Sequence, residues 1–403
     1  MVKKLIVITL FFSTLLFSNS LQEAIDNAKP YSTINLSKGR FEGHVTINKP
    51  ITIIGKDEKT IIDGNGKDTV ITIKSPDVTL KNLTITRSGH RKENFDSAVT
   101  AEKADNLKIE NCKITDSLYG IYIMLTKNAL IKDNYITSKK ERIPLRGDGL
   151  KLWYCNNALI QNNKFEKARD INLAHSNNNT IQNNKFFSNR FATYLEMSHN
   201  NTIKNNLYKY NEVSIMLMGS KNIKVLSNKV LSSRGVAGIG ILMKEGANLH
   251  FENNTVKYNA KAFYIDNKAT EKGMQRYIIN NEISFNLEAL HFHLLVSNNT
   301  IRKNKIHDNL DDVVKDLTGY KNRNNVVEYN YWGEYEGFDK NHDNIGDTPY
   351  VIYEYADRLW SYDPKIKFFY GNVVISLTNF LCKIAPFTEP ILLLEDKKPV
   401  FKD

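Results

Sequence analysis

Four of the seven methionines in this 403-residue chain, Met197, Met216, Met218 and Met243, fall within one short stretch, with His175 and His199 close by. Thioether sulfur and imidazole suit a soft metal ion, so these six residues form a first candidate site. Methionine also fills irregular cores, where it would be inert, so the direction of each side chain decides its use. His291 and His293 would face the same way along a strand and make a second candidate pair. Asp339, Asn341, Asp343 and Asp347 set oxygen donors at alternate positions with a further acid behind them, as a turn holding calcium would. That run lacks the length and the bidentate Glu of an EF-hand, and a turn tied by its own hydrogen bonds is the plainer expectation. Arg146, Asp148, Lys151, Arg169 and Asp170 offer the carboxylates and cations needed to act on a uronate polymer, which makes a polysaccharide lyase or epimerase the alternative function. No Asp-Pro-His stretch accompanies them, since Asp363-Pro364 is followed by Lys365.

A repeat must position these side chains. Ile131-Lys132-Asp133-Asn134, Ile160-Gln161-Asn162-Asn163, Ile181-Gln182-Asn183-Asn184 and Ile203-Lys204-Asn205-Asn206 share one pattern, and it recurs every 21 to 29 residues as far as Asn330. Apolar and polar residues alternate between the asparagines, as in Ile171-Asn172-Leu173, which is the period of a strand. Asn tolerates the left-handed backbone of a tight corner, and its amide can bond to the Asn one coil away. The fold expected is all-β: a right-handed parallel β-helix, or solenoid, over residues 21–330 with an N-terminal cap and an irregular or helical C-terminal tail over 331–403. On that lattice His175, Met197 and Gly219 share one row, and Ala174, Glu196 and Met218 share the next, with coils about 4.8 Å apart.

Residues 1–20 read as an export signal, with Lys3-Lys4 ahead of an apolar run and Ser18-Asn19-Ser20. Residues 21–28 form an amphipathic helix able to plug the first coil. Insertions at 87–96, 138–148 and 232–238 follow the same strand of their coils and should emerge on one side, as a lip over a binding face. A fourth, at 267–275, leaves from a different corner. The aromatic and apolar tail, with a helix expected near 373–381, is suited to cover the open edge of the last coil. The formal charge of +11 comes from lysines scattered over coil exteriors without the basic and aromatic stripe of nucleic-acid modules, so no nucleic-acid partner is expected. Cys112, Cys155 and Cys382 are widely spaced and odd in number, and Cys112 takes a corner Asn position, which favours a structural role over a disulfide framework.

The tail is more specific. Asn330-Tyr331-Trp332, Gly337-Phe338-Asp339 and Asn344-Ile345-Gly346-Asp347-Thr348-Pro349-Tyr350 resemble the ending of many secreted β-helix proteins. Tyr355-Ala356-Asp357-Arg358-Leu359-Trp360, Lys367-Phe368-Phe369-Tyr370-Gly371 and Ala385-Pro386-Phe387-Thr388-Glu389-Pro390 resemble the NosD family in particular. That resemblance implies a periplasmic, non-enzymatic maturation factor or metallochaperone for nitrous oxide reductase. It implies docking on an ABC transporter made of a membrane subunit and an ATPase, with copper handed over by a small lipoprotein. Copper(I), held transiently, would be the cargo, and the methionine and histidine sets its candidate ligands. The chain itself lacks a phosphate-binding loop ending in Lys and Ser or Thr. Any calcium at Asp339, Asn341, Asp343 and Asp347 would be structural.

Overall fold

Each coil consists of three short strands joined by corners. In one coil they are Thr180–Gln182, Lys185–Phe187 and Phe191–Glu196, and Ile181, Phe186 and Leu195 point inward and are fully buried. Strands in equivalent places pair in parallel from coil to coil, so that Ile160, Ile181 and Ile203 lie in register. The computed structural model thus contains three parallel sheets of 13, 13 and 12 strands, wound as the right-handed parallel β-helix that the repeat predicts. It describes residues 20–235, 237–266, 274–294, 296–316, 324–354, 365, 369, 372–385 and 391–401. Nearly all of the export signal, most of the fourth insertion and nearly all of the motifs at 355–360, 367–371 and 386–390 lie outside the described residues.

The core is a set of stacks with a repeat of one coil. Phe165, Phe186 and Tyr208 stack with ring centroids 5.2 and 4.7 Å apart, close to the spacing of paired strands. At the corner between the first and second sheets, Asp133, Asn162, Asn183 and Asn205 take left-handed backbone with φ of 55–58° and turn the chain. The residue after each is a buried Asn. Its Oδ1 accepts both the backbone N–H and the Nδ2–H of the Asn one coil earlier: Asn184 donates to Asn206 at 2.8 and 3.1 Å, and Asn206 to Asn228 at 2.9 and 3.0 Å. The second amide hydrogen of Asn206 goes to the Ile181 carbonyl at 2.9 Å. Cys112 starts this ladder by donating its N–H to Asn134 Oδ1, and burial pushes its thiol up to about 12. Cys155 starts a hydroxyl ladder of Ser176, Ser198 and Ser220 at another corner, with its thiol pushed by burial to about 11. Both cysteines are buried, so neither presents its sulfur to solvent.

Both ends are closed. Helix α1, Leu21–Asn27, buries Leu21 and Ile25, and Gln22 pairs its amide with the N–H and C=O of Thr46 at 2.7 and 3.1 Å, in place of a neighbouring strand. At the other end the strand Ile391–Asp396 pairs antiparallel with Tyr350–Glu354 and buries Leu393 and Leu394. Asp396 Oδ2 receives the N–H and Nδ2–H of Asn330 at 3.1 and 2.9 Å, and the Trp332 indole N–H at 2.9 Å. A carboxylate only accepts, which is what the last pair of donors in the ladder requires. Between these strands helix α2, Val373–Ile384, is capped by the Asn372 side chain. Among the described residues no helix is long and apolar enough to cross a membrane.

Asn206→Ala should cost about 3 kcal/mol, because it leaves buried donors and a carbonyl without partners. Asn200→Gly removes an exposed corner amide while keeping left-handed backbone accessible, and should cost about 1 kcal/mol or less. Denaturant midpoints of the two variants measure the difference; equal losses would mean that the buried amides are not what fixes the coils.

Candidate ligand face on the third sheet

The three insertions that leave from the corner between the second and third sheets flank the outward face of the third sheet. Lys92 of the first donates to the Pro144 carbonyl of the second at 2.8 Å, which joins them into one wall. The strands beside that wall, Leu150–Trp153, Asp170–Ala174, Phe191–Glu196, Val213–Met218 and Ile239–Lys244, alternate inward and outward, so each presents its polar or sulfur-bearing side chains to the outside in rows.

The register puts Asn172, Tyr194 and Met216 in one outward row, and Ala174, Glu196 and Met218 in the next. His175, Met197 and Gly219 follow at the corner, all with left-handed backbone. Met197 is 54% exposed, and because Gly219 carries no side chain, nothing from the next coil covers it at that position. Tyr154 stacks on His175 with centroids 4.9 Å apart, and the Tyr194 hydroxyl lies 3.9 Å from Met218 Sδ. Met243 differs from the other three methionines: it lies in register with inward-facing Leu217 and is buried in the core. The sulfur-bearing row therefore continues from Met218 to Lys244, not to Met243. His199 accepts the Lys221 backbone N–H at Nδ1, 3.1 Å away, which leaves the proton of its neutral form on Nε2. Burial, then Lys221 and His175, hold its imidazole below the usual value.

His291 and His293 do not share one exposed face. His291 is fully buried, with Glu288 on Nδ1 and Asp316 2.9 Å from Nε2 in an ion-pair contact that lacks hydrogen-bond alignment. Burial works to raise the Glu288 carboxyl, but His291 and Lys261 outweigh it and hold it down at about 2. His293 is partly exposed and meets the same Asp316 at 3.2 Å. In the 339–347 turn the oxygens already accept backbone N–H groups: Asp339 takes those of Asp343 and Asn344, Asp343 that of Ile345, and Asp347 that of Lys340. Among the described residues no three His, Cys, Asp or Glu side chains converge so as to hold an ion.

The charged patch assembles beneath the insertion wall. Arg169 Nη2 lies 2.9 Å from Asp148 Oδ1, Arg190 Nε donates to Asp170 at 2.8 Å, and Lys151 Nζ donates to Asn172 Oδ1 at 3.1 Å. Burial, then the nearby Asp170 carboxylate, push Asp148 up to about 6. Burial, Glu196 and Asp170 also push the Tyr194 hydroxyl upward. Arg146 stands apart, bonded to the Glu141 carbonyl. Arg190, Asn172 and Tyr194 were not singled out from the sequence. Arg190 was detectable there, because it follows Arg169 by 21 residues, one coil.

A family profile described as NosD, periplasmic copper-binding protein, matches residues 133–337, just over half of the chain. A protein of Pseudomonas aeruginosa called probable ABC transporter binding protein NosD is 28% identical over 365 residues, covering 87% of this chain and 84% of that protein. A protein of Stutzerimonas stutzeri with the same description is 28% identical over 370 residues, covering 87% and 83%. Among solved structures, the A-module of the mannuronan C-5 epimerase AlgE6 of Azotobacter vinelandii superposes with a TM-score of 0.54 at 14% identity, over 76% of this chain and 94% of that one. A mannuronic acid specific family 6 polysaccharide lyase from human gut microbiota gives 0.51 at 14%, over 77% and 84%. At such identities these two enzymes share the fold alone. The extent of the profile match, together with the coils and tail described above, places this chain in the NosD family of periplasmic copper-binding proteins.

Proposed function

We propose that this protein is a periplasmic maturation factor that holds copper(I) briefly and helps deliver it to nitrous oxide reductase, working with an ABC transporter and a copper-donating lipoprotein. The observation that carries the copper reading is the corner where exposed Met197 adjoins His175 and outward-facing Met218. Soft thioether and imidazole donors favour copper(I), and a corner open to solvent suits hand-over more than storage. Met216 extends this set in the neighbouring row. His199 would join only by turning its ring, and Met243 packs the core instead. The relatives are named as binding proteins, which supports reading the chain as a binding partner and leaves ATP hydrolysis to the transporter. A periplasmic location, reached through the leader at residues 1–20, accords with the family description.

Helix α2 supplies the docking surface in this reading. Val373, Leu377, Leu381 and Ile384 are exposed at spacings of four and three residues, an apolar stripe on one side of a helix too short to span a bilayer. We assign it to the transporter's membrane subunit. The helix can be altered without touching the closing strand, whereas truncation after residue 363 would also remove Asp396 and uncap the ladder.

Anaerobic titration with copper(I) should lose at least tenfold in affinity in a Met197→Leu/Met218→Leu variant and change little in Met243→Leu. Equal behaviour of the two variants would remove the corner as the site. Leu377→Ser/Leu381→Ser should abolish co-purification with the transporter from detergent-solubilised membranes while the melting temperature stays within a few degrees. Undiminished recovery would move the docking surface elsewhere.

A further inference from the structure

The two histidines beside the copper corner are held in different ways. His199 is tied into the backbone: its N–H donates to Asn177 Oδ1 at 2.7 Å, and its Nδ1 accepts the Lys221 N–H at 3.1 Å. The His175 ring forms no hydrogen bond with any described residue. A metal-binding histidine is ordinarily oriented by a hydrogen bond at its second ring nitrogen, and here that bond is missing.

Stacking on Tyr154 replaces it. Tyr154 occupies the same corner one coil earlier, with φ of 52° against 50° for His175. Its N–H donates to the Ala174 carbonyl at 3.1 Å, and that of His175 to the Glu196 carbonyl at 3.0 Å, so both side chains leave the corner in the same direction. The rings lie 10° from parallel with centroids 4.9 Å apart, close to the spacing of the coils. Trp153 meets Tyr154 edge-on at 4.9 Å and backs the stack from the side. The turn itself does not need a tyrosine, because Lys103, Leu125 and Glu245 give the same left-handed backbone at this corner in other coils, with φ of 51–52°. At 46% exposure Tyr154 also adds little to the core, and beyond Trp153 its ring contact is the imidazole. The lone pair of an imidazole nitrogen lies in the ring plane, so holding that plane fixes the directions in which His175 can bind an ion.

We propose that Tyr154, backed by Trp153, is the positioning residue of the copper corner: its ring stands in for the missing hydrogen bond and holds the His175 imidazole ready for the ion. This role rests on the copper reading of His175, Met197 and Met218. Tyr154 does not touch the ion, and it acts through the face of its ring, so its hydroxyl has no part. Losing one aromatic pair, or immobilising one free side chain on binding, corresponds to about three- to tenfold in affinity.

Competition titration of the purified protein with copper(I) against a chromophoric chelator should give binding about three- to tenfold weaker in Tyr154→Ala and within about twofold of wild type in Tyr154→Phe. In a His175→Ala background the Tyr154→Ala change should have no effect, an outcome that a merely structural role would not produce. Without copper, the His175 ring-proton signals should lie upfield through the Tyr154 ring current, stay there in Tyr154→Phe and move downfield in Tyr154→Ala. Tyr154→Leu, a residue this corner already accepts at Leu125, serves if the alanine variant fails to fold. Four results would overturn the role while leaving the methionines as copper ligands: unchanged affinity in Tyr154→Ala, an equal loss in the His175→Ala background, a loss in Tyr154→Phe matching that in Tyr154→Ala, or full affinity in His175→Ala alone. Full affinity in both His175→Ala and Met197→Leu/Met218→Leu would instead overturn the corner as the copper site, and the role of Tyr154 with it.

Discussion

Everything in this molecule depends on a directional exchange of hydrogen bonds between side-chain amides. From Asn163 to Asn304 a buried Asn in each coil gives two hydrogens forward to the next and receives two from the coil before. The amide is short, so it reaches only if the coils are in register. It is buried, so failing to reach leaves polar groups unsatisfied, at a cost several times the net gain from making the bond. The ladder therefore selects one winding of the chain among many of similar apolar burial. The core stacks of Ile and aromatic residues then fill the interior at whatever spacing the amides dictate.

This arrangement separates structure from chemistry by direction. Inward rows must be apolar and of matched size, and corner rows must turn the chain and satisfy its amides. Outward rows carry neither duty. On the third sheet they hold a charged patch, Tyr194 and a methionine corner within neighbouring coils, each residue brought to its place by register alone. The insertions at 87–96 and 138–148, joined through Lys92, wall the same face because they share one exit corner.

The fold was legible because its signal is repeated in every coil. A strand period of two and an Asn at each corner suffice to place Ile160, Ile181 and Ile203 over one another. The row of His175, Met197 and Gly219 was readable for the same reason. What could not be read was direction where the coil length changes. The coil holding Met243 carries an insertion, so counting from the corner does not tell Met243 from Lys244, and only the register shows the sulfur turned inward. The histidine pair was misleading in another way, since two residues on one face of a strand can be covered to different degrees, and Glu288 on the same strand and Asp316 on the next coil frame His291. Arg190 could have been found by stepping one coil on from Arg169, whereas Asn172 stood out only once its surroundings were known. In sequence an arginine and an asparagine among many carry no sign that one donor is left without a partner.

The stopper at Asp396 bears on how such a molecule changes length. Every corner Asn offers its successor the same two hydrogens, so a turn of the solenoid can be duplicated or lost from the middle without altering what the final turn presents. The terminal carboxylate does not register how many turns precede it. Growth by insertion thus leaves the closure intact, whereas growth by extension would have to displace it. Variation in size among proteins built this way is accordingly easiest within the body and most constrained at the final turn.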